Sequence, residues 1–177
     1  MSPFESRTLG TVQAISVTVV AYRNQARGFD PRSGEGARRL GGRFNPPHSF
    51  PVLYLCLTKP CVVAELTKRA ERQSLNLADL LPRELWQIDA DLDNVLDLTD
   101  PEVLAELGLV ADDLVREDHQ FTREIGEAAH EHGFQAIRSN SATAVDQVIA
   151  IFPERLAGAV LDVILLGDWN VPDDLLD

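Results

Sequence analysis

Residues 41–65 read GGRFNPPHSFPVLYLCLTKPCVVAE, and the rest of the chain is arranged around them. Gly41 and Gly42 permit positive φ or a close approach of the backbone to a ligand, and Arg43 follows with a planar fork of donors. Residues 52–57, VLYLCL, are apolar on both alternating faces, which predicts a central strand covered on both sides with Tyr54 in its middle. Thr58 can cap, Pro60 is a favoured first helical residue, and CVVAELTKRAERQ carries a helix onward. Cys61 and Val62 precede Glu65 by one turn and Leu66 follows it, so Glu65 borders the buried face. A cation, an aromatic ring and a carboxylate therefore arrive within one turn, strand and helix, where they can converge on a phosphate-bearing ligand.

Each of these residues also has an ordinary reading. Gly-Gly-Arg can be a surface loop, and a tyrosine in an apolar strand is commonly a core residue with a satisfied hydroxyl. Glu65 has Lys68 and Arg69 at i+3 and i+4, the spacing of an exposed helical ion pair worth about 0.3–0.5 kcal/mol.

Composition narrows the class. At 177 residues, 45% hydrophobic and 25% charged, the chain is long enough for one globular domain with a substantial core. Cys56 and Cys61 lie in apolar surroundings with no metal-like spacing, which suits a reduced, cytoplasmic protein better than a disulfide scaffold. The polar start MSPFESRTLG is unlike a leader, and no apolar run approaches the roughly 20 residues of a membrane span. A net charge of −12 argues against binding nucleic acid or an anionic membrane. Between positions 23 and 43, however, six arginines face only Asp30 and Glu35, a +4 island within that acidic chain. Such an island suits a compact anion such as a nucleotide diphosphate.

In chain order, TVQAISVTVVAYR (11–23) reads as one or two strands, and the glycine-rich 24–42 as a loop delivering Arg43. A turn at Pro82 precedes one strand near 85–90 and a second near 95–98, and Asp89, Asp91 and Asp93 read as solvated acids without a calcium-loop pattern. A short helix opens at Pro101 and stops at Gly108, and a longer one runs from about Asp118 to His132. His130 and His132 are two apart on that helix and cannot readily chelate one ion, so no metal is expected. FQAIRSNSA is a strand running into a polar turn at Ser139–Ser141, and strands at 148–152 and 161–166 follow. The predicted class is α+β, a single domain of central β-sheets with flanking short helices.

The order YR (22, 23), GGRFN (41–45), VLYL (52–55), AE (64, 65), VLDLTD (95–100), GFQAIRSNSA (133–142) and IAIFP resembles the RES domain, named for an arginine, a glutamate and a serine. The likeness runs from about residue 15 to 155. Phe44 stands where that family usually has Trp, and Thr143 where it often has Arg. The resemblance implies an ADP-ribosyltransferase-like fold and a toxin of a bacterial toxin-antitoxin system. It implies NAD as substrate, consumed by hydrolysis, by phosphorolysis or by transfer of ADP-ribose to a protein acceptor. An Xre-like helix-turn-helix antitoxin is the implied partner. By resemblance Arg43, Glu65 and Ser141 are the naming residues, Tyr54 a pocket tyrosine and Arg23 a further basic position. The alternative is a catalytically degenerate protein of the same fold that binds a nucleotide or a partner.

Overall fold

The apolar run around Tyr54 folds as the expected inner strand. In the computed structural model, which describes residues 6–177, β1 (Ile15–Gln25), β2 (Leu53–Cys56), β3 (Arg83–Asp97), β4 (Ala136–Asn140), β5 (Gln147–Ile151) and β6 (Asp162–Trp169) share one sheet. Their order is β1-β2-β5-β4-β3-β6, and β1 also pairs with β3, so five strands close into a barrel-like ring. β6 extends the free edge of β3. The separate sheets expected from sequence are thus a single one. The first five residues of the polar start, read above as unlike a leader, lie outside the described residues.

Strand alternation explains the ring. Val19 and Ala21 of β1, Leu53 and Leu55 of β2, Ile88 and Ala90 of β3, and their counterparts on β4 and β5 form one buried cluster, which is the barrel interior. The opposite face of the sheet is covered by helices. These are α1 (Glu35–Leu40), α2 (Lys59–Arg72), α3 (Pro101–Glu106) and α4 (Gln120–Glu131). α2 begins as its signals require: Thr58 accepts a hydrogen bond from the Cys61 amide at 3.4 Å, and a proline occupies the first turn. Its Cys61, Val62 and Leu66 pack with Leu85 and Trp169. α3 is capped by Asp100, whose carboxylate accepts from the Glu102 amide at 2.8 Å. No helix among the described residues is long and apolar enough to cross a membrane.

Two readings change. The strands expected at 85–90 and 95–98 are one 15-residue strand, with an irregularity in its pairing opposite Ile15 and Val17. There the amides of Asp93 and Asn94 both donate to Gln135 Oε1, at 2.8 and 2.9 Å, so a side chain satisfies backbone groups that the ladder leaves over. The segment 24–42, expected as loop throughout, contains α1; six residues including Gly36 present too little periodicity to be read as a helix.

α4 fixes the Gly41–Asn45 loop from outside the sheet. Gly126 is buried in α4, and a Cβ there would stand 1.7 Å from the Phe44 carbonyl oxygen, while the Phe44 ring is fully buried in the core beneath. Replacing Gly126 by Ala favours the helix by about 1 kcal/mol, but this close backbone contact outweighs the gain. Gly126→Ala is expected to lower unfolding free energy by about 3 kcal/mol in urea titration; a variant as stable as the wild type would show that α4 does not press on Phe44.

Candidate active site

Four segments meet on the outer side of β2. The Gly41–Asn45 loop follows α1, which ends at Gly41 with φ of 74°, a conformation suited to glycine. Tyr54 reaches this loop from β2. Its hydroxyl accepts from the Phe44 amide at 2.9 Å and donates to Asn45 Oδ1 at 2.7 Å. Fully buried Asn45 in turn donates to the Ala37 carbonyl at 2.7 Å, tying the loop back to α1. Gly42 is required because a Cβ there would lie 2.5 Å from the Tyr54 ring. Burial pushes the Tyr54 pKa well above the ordinary tyrosine value, so this phenol stays protonated.

Glu65 stands half-buried on α2, two turns beyond the cap. The buried Ser141 begins the turn between β4 and β5, and its hydroxyl donates to Glu65 Oε1 at 2.6 Å. The same Ser141 oxygen lies 2.7 Å from Thr143 Oγ1 and accepts from the Thr143 amide at 3.1 Å. Sequence alone suggests that the turn starts at Ser139; β4 instead continues through Asn140, which carries Ser141 to the helix.

Arg43 completes the grouping. Its Nη1 donates to the carbonyls of Leu114 and Arg116 at 2.8 and 3.1 Å, in a strap that crosses from a short 3-10 turn to α4. Burial lowers the Arg43 pKa, and the charge of Glu65 is the strongest influence that opposes it. The two charges brought near each other are therefore those twenty-two positions apart in the sequence. Arg123 of α4 donates to the Gly42 carbonyl at 3.0 Å, adding a second guanidinium to the loop.

Similarity to known proteins identifies the family. The family model described as RES domain matches residues 20–174. The chain belongs to the RES domain family. The NAD(+) phosphorylases MbcT of Mycobacterium bovis and Mycobacterium tuberculosis are each 34% identical to it over 136 residues, spanning 76% of this chain and 73% of theirs. The crystal structure of the M. tuberculosis MbcT-MbcA toxin-antitoxin complex matches with a TM-score of 0.80, at 28% identity, over 91% of each chain.

Not every expected residue of this RES domain joins the group. Alternation from Ala21 puts Arg23 on the inward face of β1, opposite Tyr22 and Tyr54. Its Nη1 donates to the Pro31 carbonyl at 3.2 Å, its buried Nε has no partner among the described residues, and burial lowers its pKa to about 10. The arginine island does not act as one patch either. Arg27 pairs with Asp168 and Arg38 with Glu35, and Arg32 donates to the Leu161 carbonyl. Other cations come from α2 and α4: Lys68 and Arg72 lie on the stripe of Glu65 and bind Glu117, and Arg123 binds the Gly42 carbonyl. Lys68 and Arg72 were legible as residues three and seven after Glu65, on its own helical stripe, whereas Arg123 carried no local signal. The ordinary ion pair of Glu65 with Lys68 does not form, since Lys68 binds Glu117 at 3.0 Å.

A separate concavity of about 370 Å³ lies along β1 and β3, beside Thr18, Asp89, Asp91 and Asp162. Its carboxylates repel phosphate, so the grouping of Arg43, Glu65 and Ser141 is the better candidate site.

Tyr54→Phe should leave the Phe44 amide and Asn45 Oδ1 unpaired, costing about 1–3 kcal/mol in urea unfolding. The variant also tests the proton linkage. The folded phenol has a raised pKa, so its stabilising share is complete below the unfolded tyrosine pKa of about 10 and declines as pH rises beyond it. The stability gap between wild type and Tyr54→Phe should accordingly narrow from about pH 9 to about pH 11. A gap independent of pH would contradict the buried-phenol assignment.

Proposed function

We propose that this RES domain is the toxin of a bacterial toxin-antitoxin pair and that it breaks the nicotinamide-ribose bond of NAD, with inorganic phosphate as acceptor. The observation that carries the reading is the 2.6 Å bond from Ser141 to Glu65 beside Arg43, in a chain 34% identical to NAD(+) phosphorylases. We take the whole chain as one RES unit with an ADP-ribosyltransferase-like fold. Its proposed partner is an Xre-like helix-turn-helix antitoxin, and its compartment the cytoplasm.

The chemistry asks little of acids and bases. Nicotinamide leaves as a neutral ring from a cationic precursor, so the protein must hold the pyrophosphate and stabilise an oxocarbenium-like ribose. Glu65 faces that developing cation. The Ser141 hydroxyl holds one carboxylate oxygen in place and lies where it can bond the nicotinamide-ribose half. Arg43 exchanges its strap carbonyls for pyrophosphate oxygens, with Arg123, which donates to the Gly42 carbonyl, as the second guanidinium at this loop, while Arg23, expected as a further phosphate ligand, faces the barrel interior and takes no part in this scheme. Tyr54 acts as a positioning residue: its hydroxyl is committed to the loop that carries Arg43, leaving its ring to wall the nicotinamide or ribose.

Mixing the purified protein with NAD and phosphate should release nicotinamide and produce a new phosphomonoester resonance in 31P NMR. Nicotinamide without that resonance would mean hydrolysis, or transfer if label from NAD appears on protein. No nicotinamide at all would favour the degenerate, binding-only alternative. Glu65→Gln keeps an acceptor for Ser141 and should cut nicotinamide release by about 10²–10³ with melting unchanged, the usual effect of removing one transition-state contact. Wild-type turnover in that variant would remove Glu65 from the mechanism.

A further inference from the structure

Phosphorolysis requires a place for a second anion, distinct from the one that holds the pyrophosphate, within reach of the anomeric carbon. α2 supplies a candidate one turn from Glu65. Residues 65, 68 and 72 share a helical stripe, so Lys68 and Arg72 extend away from Glu65 along the same face. Lys68 Nζ donates to the Ala142 carbonyl at 3.3 Å, directly after the serine that bonds Glu65. Lys68 and Arg72 also share one carboxylate: Glu117 Oε1 lies 3.0 Å from Lys68 Nζ, and Glu117 Oε2 3.1 Å from Arg72 Nη2.

That carboxylate belongs to the strap, and its side chain is 66% exposed. Two oxygens fixed across an ammonium and a guanidinium are the pattern that two oxygens of a phosphate present to the same cations. Exposed ion pairs of this kind contribute at most about 1 kcal/mol each, so an anion from solution can displace the carboxylate. Two residues along the strap, His119 Nε2 is buried and without a partner among the described residues, and the charges of Arg43, Arg123, Arg72 and Glu117 all act on that ring.

We propose that Lys68 and Arg72 form the binding site for inorganic phosphate as the acceptor, and that Glu117 is an internal surrogate which phosphate displaces. The inference rests on the phosphorolytic reading above. Hydrogenphosphate bound there donates an oxygen electron pair to the anomeric carbon. The C–N pair leaves with the nicotinamide ring and cancels its positive charge. The total of three negative charges is conserved in the product, two on its pyrophosphate and one on the new hydrogenphosphate ester, so no proton must be removed in the step. Glu65 is thereby left ionised throughout, as stabilisation of the ribose cation requires.

The test varies phosphate at saturating NAD, and NAD at saturating phosphate, for wild type, Glu117→Gln and Arg72→Met, with ionic strength held constant by sodium chloride. Arg72→Met should raise the KM for phosphate about tenfold, the equivalent of one charge-assisted contact, while the KM for NAD stays within about twofold. Glu117→Gln removes the competitor and should lower the KM for phosphate severalfold. An Arg72→Met effect falling on NAD instead, or a Glu117→Gln variant that binds phosphate more weakly, would overturn the assignment. Broadening of the inorganic phosphate 31P line by the protein reads the site without turnover. Broadening that Arg72→Met abolishes supports the anion site even if wild-type nicotinamide release proves independent of phosphate, a result that would defeat phosphorolysis alone. Absence of broadening in the wild type would defeat the site itself. Arg72 and Glu117 are both exposed, and unchanged melting temperatures confirm that the comparison concerns binding.

Discussion

The hydroxyl of Tyr54 is the point on which the candidate site depends. It is held between the Phe44 amide and the Asn45 side chain, and Asn45 is anchored to α1 through the Ala37 carbonyl. The loop that presents Arg43 is closed by its own bond from the Gly42 amide to the Asn45 carbonyl, and its position is fixed by the inner strand of a closed ring. Buried polar groups left unpaired cost about 1–3 kcal/mol each, which makes the bonded arrangement of this loop strongly preferred over alternatives. Phe44 pins the loop from below and Gly126 presses on its backbone from above. A guanidinium aimed by so many constraints is preorganised, the condition under which fixed charge acts effectively on a developing one.

Closure of the sheet brings the other parts to the same place. β2 delivers both Tyr54 and, through the capped start of α2, Glu65. β5 is its hydrogen-bonded neighbour, so the β4–β5 turn with Ser141 necessarily lies beside that helix. The strap from Leu114 to α4 then closes over Arg43 with carbonyls and over α2 with Glu117. Residues 43, 65, 117 and 141 are far apart in the chain, and the ring connectivity alone makes them neighbours.

How much of this was legible follows from the range of each interaction. The turn, strand and helix of 41–65 could be read because caps, proline placement and alternation are local. The long β3 could not be read as one strand: Leu92 and Val95 both face the barrel interior, which breaks the two-residue period, and the continuity comes from Gln135, forty residues on. Arg43 and Ser141 were singled out by family resemblance, with a basic residue after paired glycines as the one local hint. The partners that give them meaning, Leu114, Arg116 and Glu65, are separated from them by 71, 73 and 76 positions. The arginine island misled in the opposite way. It was conspicuous as composition, yet its members disperse to Asp168, Glu35 and backbone carbonyls, because charge density along a chain says nothing about which side chains share a surface.

The way each arginine is held separates those available to a ligand from those already neutralised. Arg27, Arg38 and Arg116 pair with carboxylates of Asp168, Glu35 and Asp113, so their charge is cancelled locally. Arg43, Arg123 and Arg23 donate instead to the carbonyls of Leu114, Gly42 and Pro31. A carbonyl fixes a guanidinium's direction and satisfies a donor without removing its net charge, and in a chain of net charge −12 that distinction is sharp. Such a protein has carboxylates in excess, and leaving Arg43 and Arg123 with carbonyl partners keeps positive potential at the Gly41–Asn45 loop, whereas Arg23 holds its charge inside the barrel. Lys68 and Arg72 fall between the two groups: they are neutralised, but by an exposed carboxylate on a strap, the one arrangement in which the neutralising charge can be replaced by a substrate's.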